Sequence, residues 1–144
     1  MQIKELGHIV LYVKDVERSA AFYRDILGFR MIASEPRVAL FSSGRTHHEL
    51  LLIETGQGPQ PKKSYNGLYH IGLKIGDTVE ELSVALEELK KAGVKIVGAT
   101  DHHITKSLYI LDPDGNELEL YVDQSDDWRT DPSSIMARPR PLTL

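Results

Sequence analysis

The feature that most constrains the fold of this chain is an internal repeat. Leu6-Gly7-His8-Ile9 matches Leu68-Tyr69-His70-Ile71 at an offset of 62 residues, and self-similarity of this kind means that one supersecondary unit is used twice. Each copy opens on a short run rich in branched and aromatic residues, His8 to Val13 and His70 to Ile75, which predicts a strand. Each run leads through an acid-containing turn into a helix. The first helix is expected to start from a cap at Asp15, to carry Val16, Ala20, Tyr23 and Leu27 on one stripe, and to stop at Gly28. The second begins with a capping box, Thr78 to Glu81, buries Leu82, Leu86 and Leu89, and ends at Gly93.

Strand-like segments follow both helices. In the first half they are 29–34, 37–42 and 48–53, separated by Pro36 and by Ser43-Gly44; in the second they are 94–99, 106–111 and 117–122. Asp112-Pro113-Asp114-Gly115-Asn116 joins the last two as a hairpin. Each half thus reads β-α-β-β-β, an α+β pattern. The modules span about 4–55 and 68–122, residues 56–67 form a linker rich in Gly and Pro, and 123–144 is an arm without periodicity.

A chain of 144 residues, 41% hydrophobic and 26% charged, has the make-up of one globular domain. Its net charge of -4 comes from interspersed acids and bases, and no Lys/Arg cluster is present to track a phosphate backbone, which argues against a nucleic-acid partner. No apolar run is long enough to span a bilayer, and Met1-Gln2-Ile3-Lys4-Glu5 lacks the apolar core of a signal peptide, so the expected location is the cytoplasm. With no cysteine, thiolate chemistry and disulfides are excluded, and any metal must take His, carboxylate or water ligands.

Two histidines at equivalent addresses of equivalent strands offer two imidazoles to one point if the halves are related by a pseudo-twofold. A third ligand is available in the alternating run Glu117-Leu118-Glu119-Leu120-Tyr121, where Glu119 and Tyr121 share the face opposite Leu118 and Leu120. Taken singly, a strand histidine is more often a core or edge residue than a ligand, and Glu119 would be a solvated acid. The repeat is what joins His8, His70 and Glu119 into a candidate metal site. Two His and one carboxylate leave open positions on a divalent ion for a substrate and a small co-reactant.

The repeated module resembles the vicinal oxygen chelate superfamily, which includes glyoxalases, extradiol dioxygenases, fosfomycin-resistance proteins and bleomycin-binding proteins. The resemblance covers about residues 4 to 122. Thr100-Asp101-His102, Leu108-Tyr109, Asp112-Pro113-Asp114-Gly115 and Glu119 stand at spacings similar to the pattern of extradiol ring-cleavage dioxygenases, and Arg45-Thr46-His47-His48-Glu49-Leu50 resembles the strand on which those enzymes carry a catalytic histidine, with His48 at the matching position. The resemblance implies an open, barrel-like mixed sheet around a metal site. It implies Fe(II), or Mn(II) or another divalent metal, held by His8, His70 and Glu119, with a catechol and dioxygen as substrates. It gives His48 the part of acid and base, and His102 and Tyr109 the part of hydrogen-bond partners to substrate oxygens. An imidazole suits proton exchange near neutral pH, and a phenol donates without ionising.

Each of these residues also has a plain reading: His47-His48 as an exposed edge pair, His102 or His103 as a loop residue, Tyr109 as part of the sheet wall. The rival activity is a glyoxalase-like isomerase or lyase with Glu49 as fourth ligand, because alternation along a strand turns only one of His48 and Glu49 toward a metal. A fosfomycin-type thiol transferase would need basic residues near the site, and a metal-free drug-binding protein would not need the ligand set. Many extradiol enzymes carry a second, inactive two-module domain, whereas one pair of modules is expected in this sequence. Pocket shape is expected to depend on Phe41, Leu50, Tyr65 and the arm with Trp128, and the resemblance implies a homodimer.

Overall fold

A computed structural model of the chain describes residues 1–59 and 66–144; Tyr65 and half of the expected linker lie outside the described residues. The chain divides into two compact units, Met1–Pro61 and Lys62–Leu144. Among the described residues no helix is long and apolar enough to cross a membrane.

The first unit contains β1 (Ile9–Val13), α1 (Val16–Ala21), β2 (Arg30–Glu35), β3 (Val38–Ser42) and β4 (Leu50–Glu54). Its sheet has the order β1-β4-β3-β2, with β1 and β4 parallel and the other pairs antiparallel. The Asp15 carboxylate accepts from the Arg18 amide at 2.9 Å and starts α1. The helix does not continue as α to Leu27 as its stripe suggests. From Phe22 to Ile26 it widens into a π-helical turn, with the Leu27 amide bonded to the Phe22 carbonyl at 3.1 Å, before Gly28 at φ +73° ends it. That turn buries both Phe22 and Tyr23, and the Tyr23 ring stands 6.2 Å from Phe41 and 6.4 Å from Phe29. Phe41 and Leu50 are buried with Ala39 and Leu52 in this core. They are packing residues, which corrects the expectation that they shape a pocket: period-two alternation puts them on the interior side of their strands.

The second unit contains β5 (His70–Gly76), α2 (Val79–Lys91), β6 (Ile96–Asp101), β7 (Thr105–Leu111), β8 (Glu117–Asp123) and β9 (Arg140–Pro141), in the order β5-β8-β7-β6-β9. Here β5 and β8 are the parallel pair. The Thr78 hydroxyl oxygen accepts from the Glu81 amide at 3.3 Å while the Glu81 carboxylate accepts from the Thr78 amide at 2.9 Å, a complete capping box. Leu82, Leu86 and Leu89 of α2 are buried, as are Leu108, Ile110, Leu118, Leu120 and Val122 of the sheet. In the β7–β8 hairpin the Asp112 carboxylate accepts from the Asp114 and Asn116 amides at 2.9 and 2.8 Å.

The two β-α-β-β-β modules are present, each on its own mixed sheet. The arm is more ordered than its composition suggests. Asp127–Arg129 and Pro132–Met136 form 3-10 turns, and β9 adds to the edge of β6, pairing Pro141 with Thr100 and Arg140 with Asp101. Proline is tolerated there because an edge strand leaves one row of amides unused.

Loss of the capping hydroxyl in Thr78→Ala leaves the Glu81 amide without its side-chain acceptor, and should lower unfolding free energy by about 1 kcal/mol. Urea unfolding of variant and wild type measures this directly.

Candidate metal centre

Both repeat histidines occupy the same place in their modules. Leu11 and Val13 are buried on the helix side of β1, so His8, one residue ahead of the strand, shares the opposite face with Val10 and Tyr12. His70 opens β5, where Ile71 is buried and His70, Gly72 and Lys74 take the other face.

In the first unit three imidazoles cluster. The His8 ring centre lies 4.4 Å from that of His48 and 6.4 Å from that of His47, and the Nδ1 atoms of His47 and His48 are 2.6 Å apart, so one of that pair donates to the other. Burial lowers the His48 pKa and the neighbouring His8 and His47 lower it further, against an opposing pull from Glu49. His48 is thus held in the neutral form that accepts a proton.

Glu49 is engaged elsewhere. Its carboxylate accepts from the Ser43 amide and the Ser43 hydroxyl, both at 2.8 Å, and lies 3.5 Å from the Arg45 guanidinium. Burial alone would raise its pKa, but the nearby Ser42 side chain, the Ser43 hydroxyl and amide and the Arg45 backbone outweigh that and hold it at about 2. The same loop is stapled by the Ser42 hydroxyl, which donates to the Thr46 carbonyl at 2.9 Å. Arg45 also donates to the carbonyls of Leu6 and Gly7, at 3.2 and 2.9 Å, and so ties this loop to the segment entering His8. Arg45 escapes the sequence reading because its partners are almost forty residues away.

In the second unit four side chains form one hydrogen-bonded line. His70 Nε2 lies 3.0 Å from Glu119 Oε2; the Tyr109 hydroxyl donates to Glu119 Oε1 at 2.9 Å; and His102 Nε2 lies 2.9 Å from the Tyr109 hydroxyl. The β-ladder explains the meeting, since Tyr109 of β7 is in register with Glu119 of β8. Burial raises the Tyr109 pKa, and its bond to the Glu119 carboxylate raises it further, so it remains a protonated donor. Of the neighbouring histidines it is His102 that reaches Tyr109; His103 turns away at φ +73°, its amide bonded to Asp101.

The donor chemistry of His70 and Glu119 fits a divalent ion: an imidazole nitrogen and a carboxylate oxygen converge on one half-buried spot. His70 Nδ1 is buried without a hydrogen-bond partner among the described residues, so the ring depends on what its Nε2 meets. Among the described residues no three His or acidic side chains are arranged to hold a metal ion.

Glu49 has a folded pKa near 2 against an ordinary 4.5. Its stabilising effect is therefore complete above about pH 4.5 and is lost as pH falls toward 2. Glu49→Gln should lower the urea midpoint at pH 7, with a gap to wild type that narrows at pH 3; an equal gap at both values would show that charge is not what holds the loop.

The family model described as Glyoxalase/Bleomycin resistance protein/Dioxygenase superfamily matches residues 5–120. Catechol-2,3-dioxygenase of Bacillus subtilis is 34% identical over 83% of the chain, which spans 41% of that enzyme's length. Metallothiol transferase FosB of Staphylococcus haemolyticus is 32% identical over 87% of the chain and 88% of its own length. A glyoxalase/dioxygenase from Nostoc punctiforme has the same fold, with a TM-score of 0.71 over 85% of this chain and 92% of its own, at 22% identity. The chain belongs to the glyoxalase, bleomycin-resistance and dioxygenase superfamily, the vicinal oxygen chelate proteins.

Proposed function

We propose that this chain is an extradiol ring-cleavage dioxygenase acting on a catechol-type substrate, with His8, His70 and Glu119 as ligands of one Fe(II). The observation that carries the reading is the line His102–Tyr109–Glu119–His70, which joins two candidate ligands to two candidate substrate partners in an unbroken series of contacts. When bound, the metal would acidify a chelated diol and bring it together with dioxygen. His8 enters the ligand set as the repeat equivalent of His70.

The chain's own residues supply the rest. Tyr109 keeps its proton, which its hydroxyl donates to Glu119 Oε1 and would turn to a substrate oxygen bound beside that carboxylate. His102, bonded to the same hydroxyl, fixes the direction of that donation. His48, its pKa lowered and its ring packed at a tilt beside His8, takes a proton from the substrate and returns it later. Glu49 has a different task, since its carboxylate is saturated by its own loop; this favours ring cleavage over an isomerase that would use it as a ligand.

Thiol transfer is the second reading, favoured by an alignment that covers 88% of the staphylococcal metallothiol transferase. Against it, two cations of the candidate elements are already engaged: Lys74 by Asp77 and Asp123, Arg45 by Glu5 and Glu49.

Anaerobic loading with Fe(II), then catechol in air, should give a yellow ring-cleavage product that requires both iron and oxygen. His48→Ala should retain iron and lose about 10²- to 10⁴-fold in turnover. No yellow product, with thiol added to fosfomycin instead, would overturn ring cleavage in favour of the second reading.

A further inference from the structure

Two glycines flank the Glu119–Tyr109 pair in one row across the second sheet. Gly72 of β5 is in register with Glu119 of β8, Glu119 with Tyr109 of β7, and Tyr109 with Gly98 of β6. Residues in register across a ladder share a face, and the Tyr109–Glu119 hydrogen bond fixes it as the face of His70 and His102. The row therefore reads glycine, acid, phenol, glycine, with side chains only at its centre.

The two glycines are not equivalent. A Cβ at Gly72 would stand 3.6 Å from the Tyr121 ring and 3.8 Å from the Glu119 carboxylate, so that flank already has its occupants. A Cβ at Gly98 would meet nothing within 4 Å. Gly98 is also not at positive φ, so its backbone does not call for glycine. A ladder irregularity lies between Ile96 and Gly98, but only bulges with a left-handed residue require glycine. Glycine inside a strand weakens it and marks a bulge, a tight bend or a place where a ligand or another backbone approaches closely, and Gly98 is exposed on its strand.

We propose that Gly98 is a specificity-determining position: the bare backbone, one strand spacing of about 4.8 Å to the side of Tyr109, over which the substituted edge of an aromatic diol lies. The diol oxygens sit at the Tyr109 and His102 end, and the ring substituent takes the space that a side chain at 98 would fill. The substrate class is then a ring-substituted catechol. This rests on the ring-cleavage reading.

The test compares wild type, Gly98→Ala and Gly98→Val, loaded with Fe(II), on catechol, 3-methylcatechol and 3-phenylcatechol. The kcat/KM ratio of substituted to parent catechol should fall by about tenfold or more in the valine variant, through KM rather than kcat, and by less in the alanine variant. Calorimetric binding of the same diols to the Zn(II)-loaded proteins without oxygen should show the same order. The valine variant should unfold no earlier than wild type, because a branched residue suits a strand. An unchanged ratio in an active enzyme, or a valine variant that fails to fold, would overturn the role of Gly98 alone. A wild type that neither binds nor cleaves any catechol would overturn the ring-cleavage reading with it.

Discussion

In each unit the strand that opens the module pairs in parallel with the strand that closes it, β1 with β4 and β5 with β8. Parallel neighbours cannot be joined by a tight turn, so the helix and two further strands serve as the crossover. This one pairing fixes where the histidines stand. With Gly72 opposite Glu119, His70 lies two residues earlier on the same face, within 3.0 Å of the carboxylate. With Ile9 opposite Leu50, the loop ahead of β4 delivers His48 to His8. A one-residue slip in either ladder would turn every one of these side chains to the helix side.

What the ladder brings together, the hydrogen bonds then assign. A carboxylate with oxygens bonded separately to Tyr109 and facing His70 is oriented on both sides. A carboxylate held by Ser43 and pushed down to a pKa of about 2 is a fixed structural anion. Glu119 and Glu49 are the same residue type on equivalent closing segments of the two modules, and their surroundings give them different work. The imidazoles divide in a similar way: the His48 pKa is lowered by burial and then by His8 and His47, while His103 is turned outward by a left-handed backbone.

Much of this could be read from residue order. The repeat pointed to both opening strands, Thr78 and Glu81 to the capping box, and the alternation in 117–121 to the separation of Glu119 from the core leucines. The features that were not legible depend on contacts distant in sequence. Arg45 gives no local sign of its bonds to Leu6 and Gly7. Phe41 and Leu50 have the composition of pocket walls, and only the packing of Tyr23 reveals them as core. The arm has no periodicity because its order comes from an edge strand of two residues, too short to leave a pattern. The π-helical turn is invisible to a stripe analysis, since residues four and five apart both fall near the buried face.

The proposed ligands of one divalent ion are His8, His70 and Glu119. Titration of the metal-free protein with Mn(II), following the resonance of the free ion, tests this ligand set without any assumption about substrate. Wild type should bind one ion tightly per chain, and His8→Ala, His70→Ala and Glu119→Ala should each lose that binding. Undiminished binding of Mn(II) by any of the three variants would contradict the ligand set.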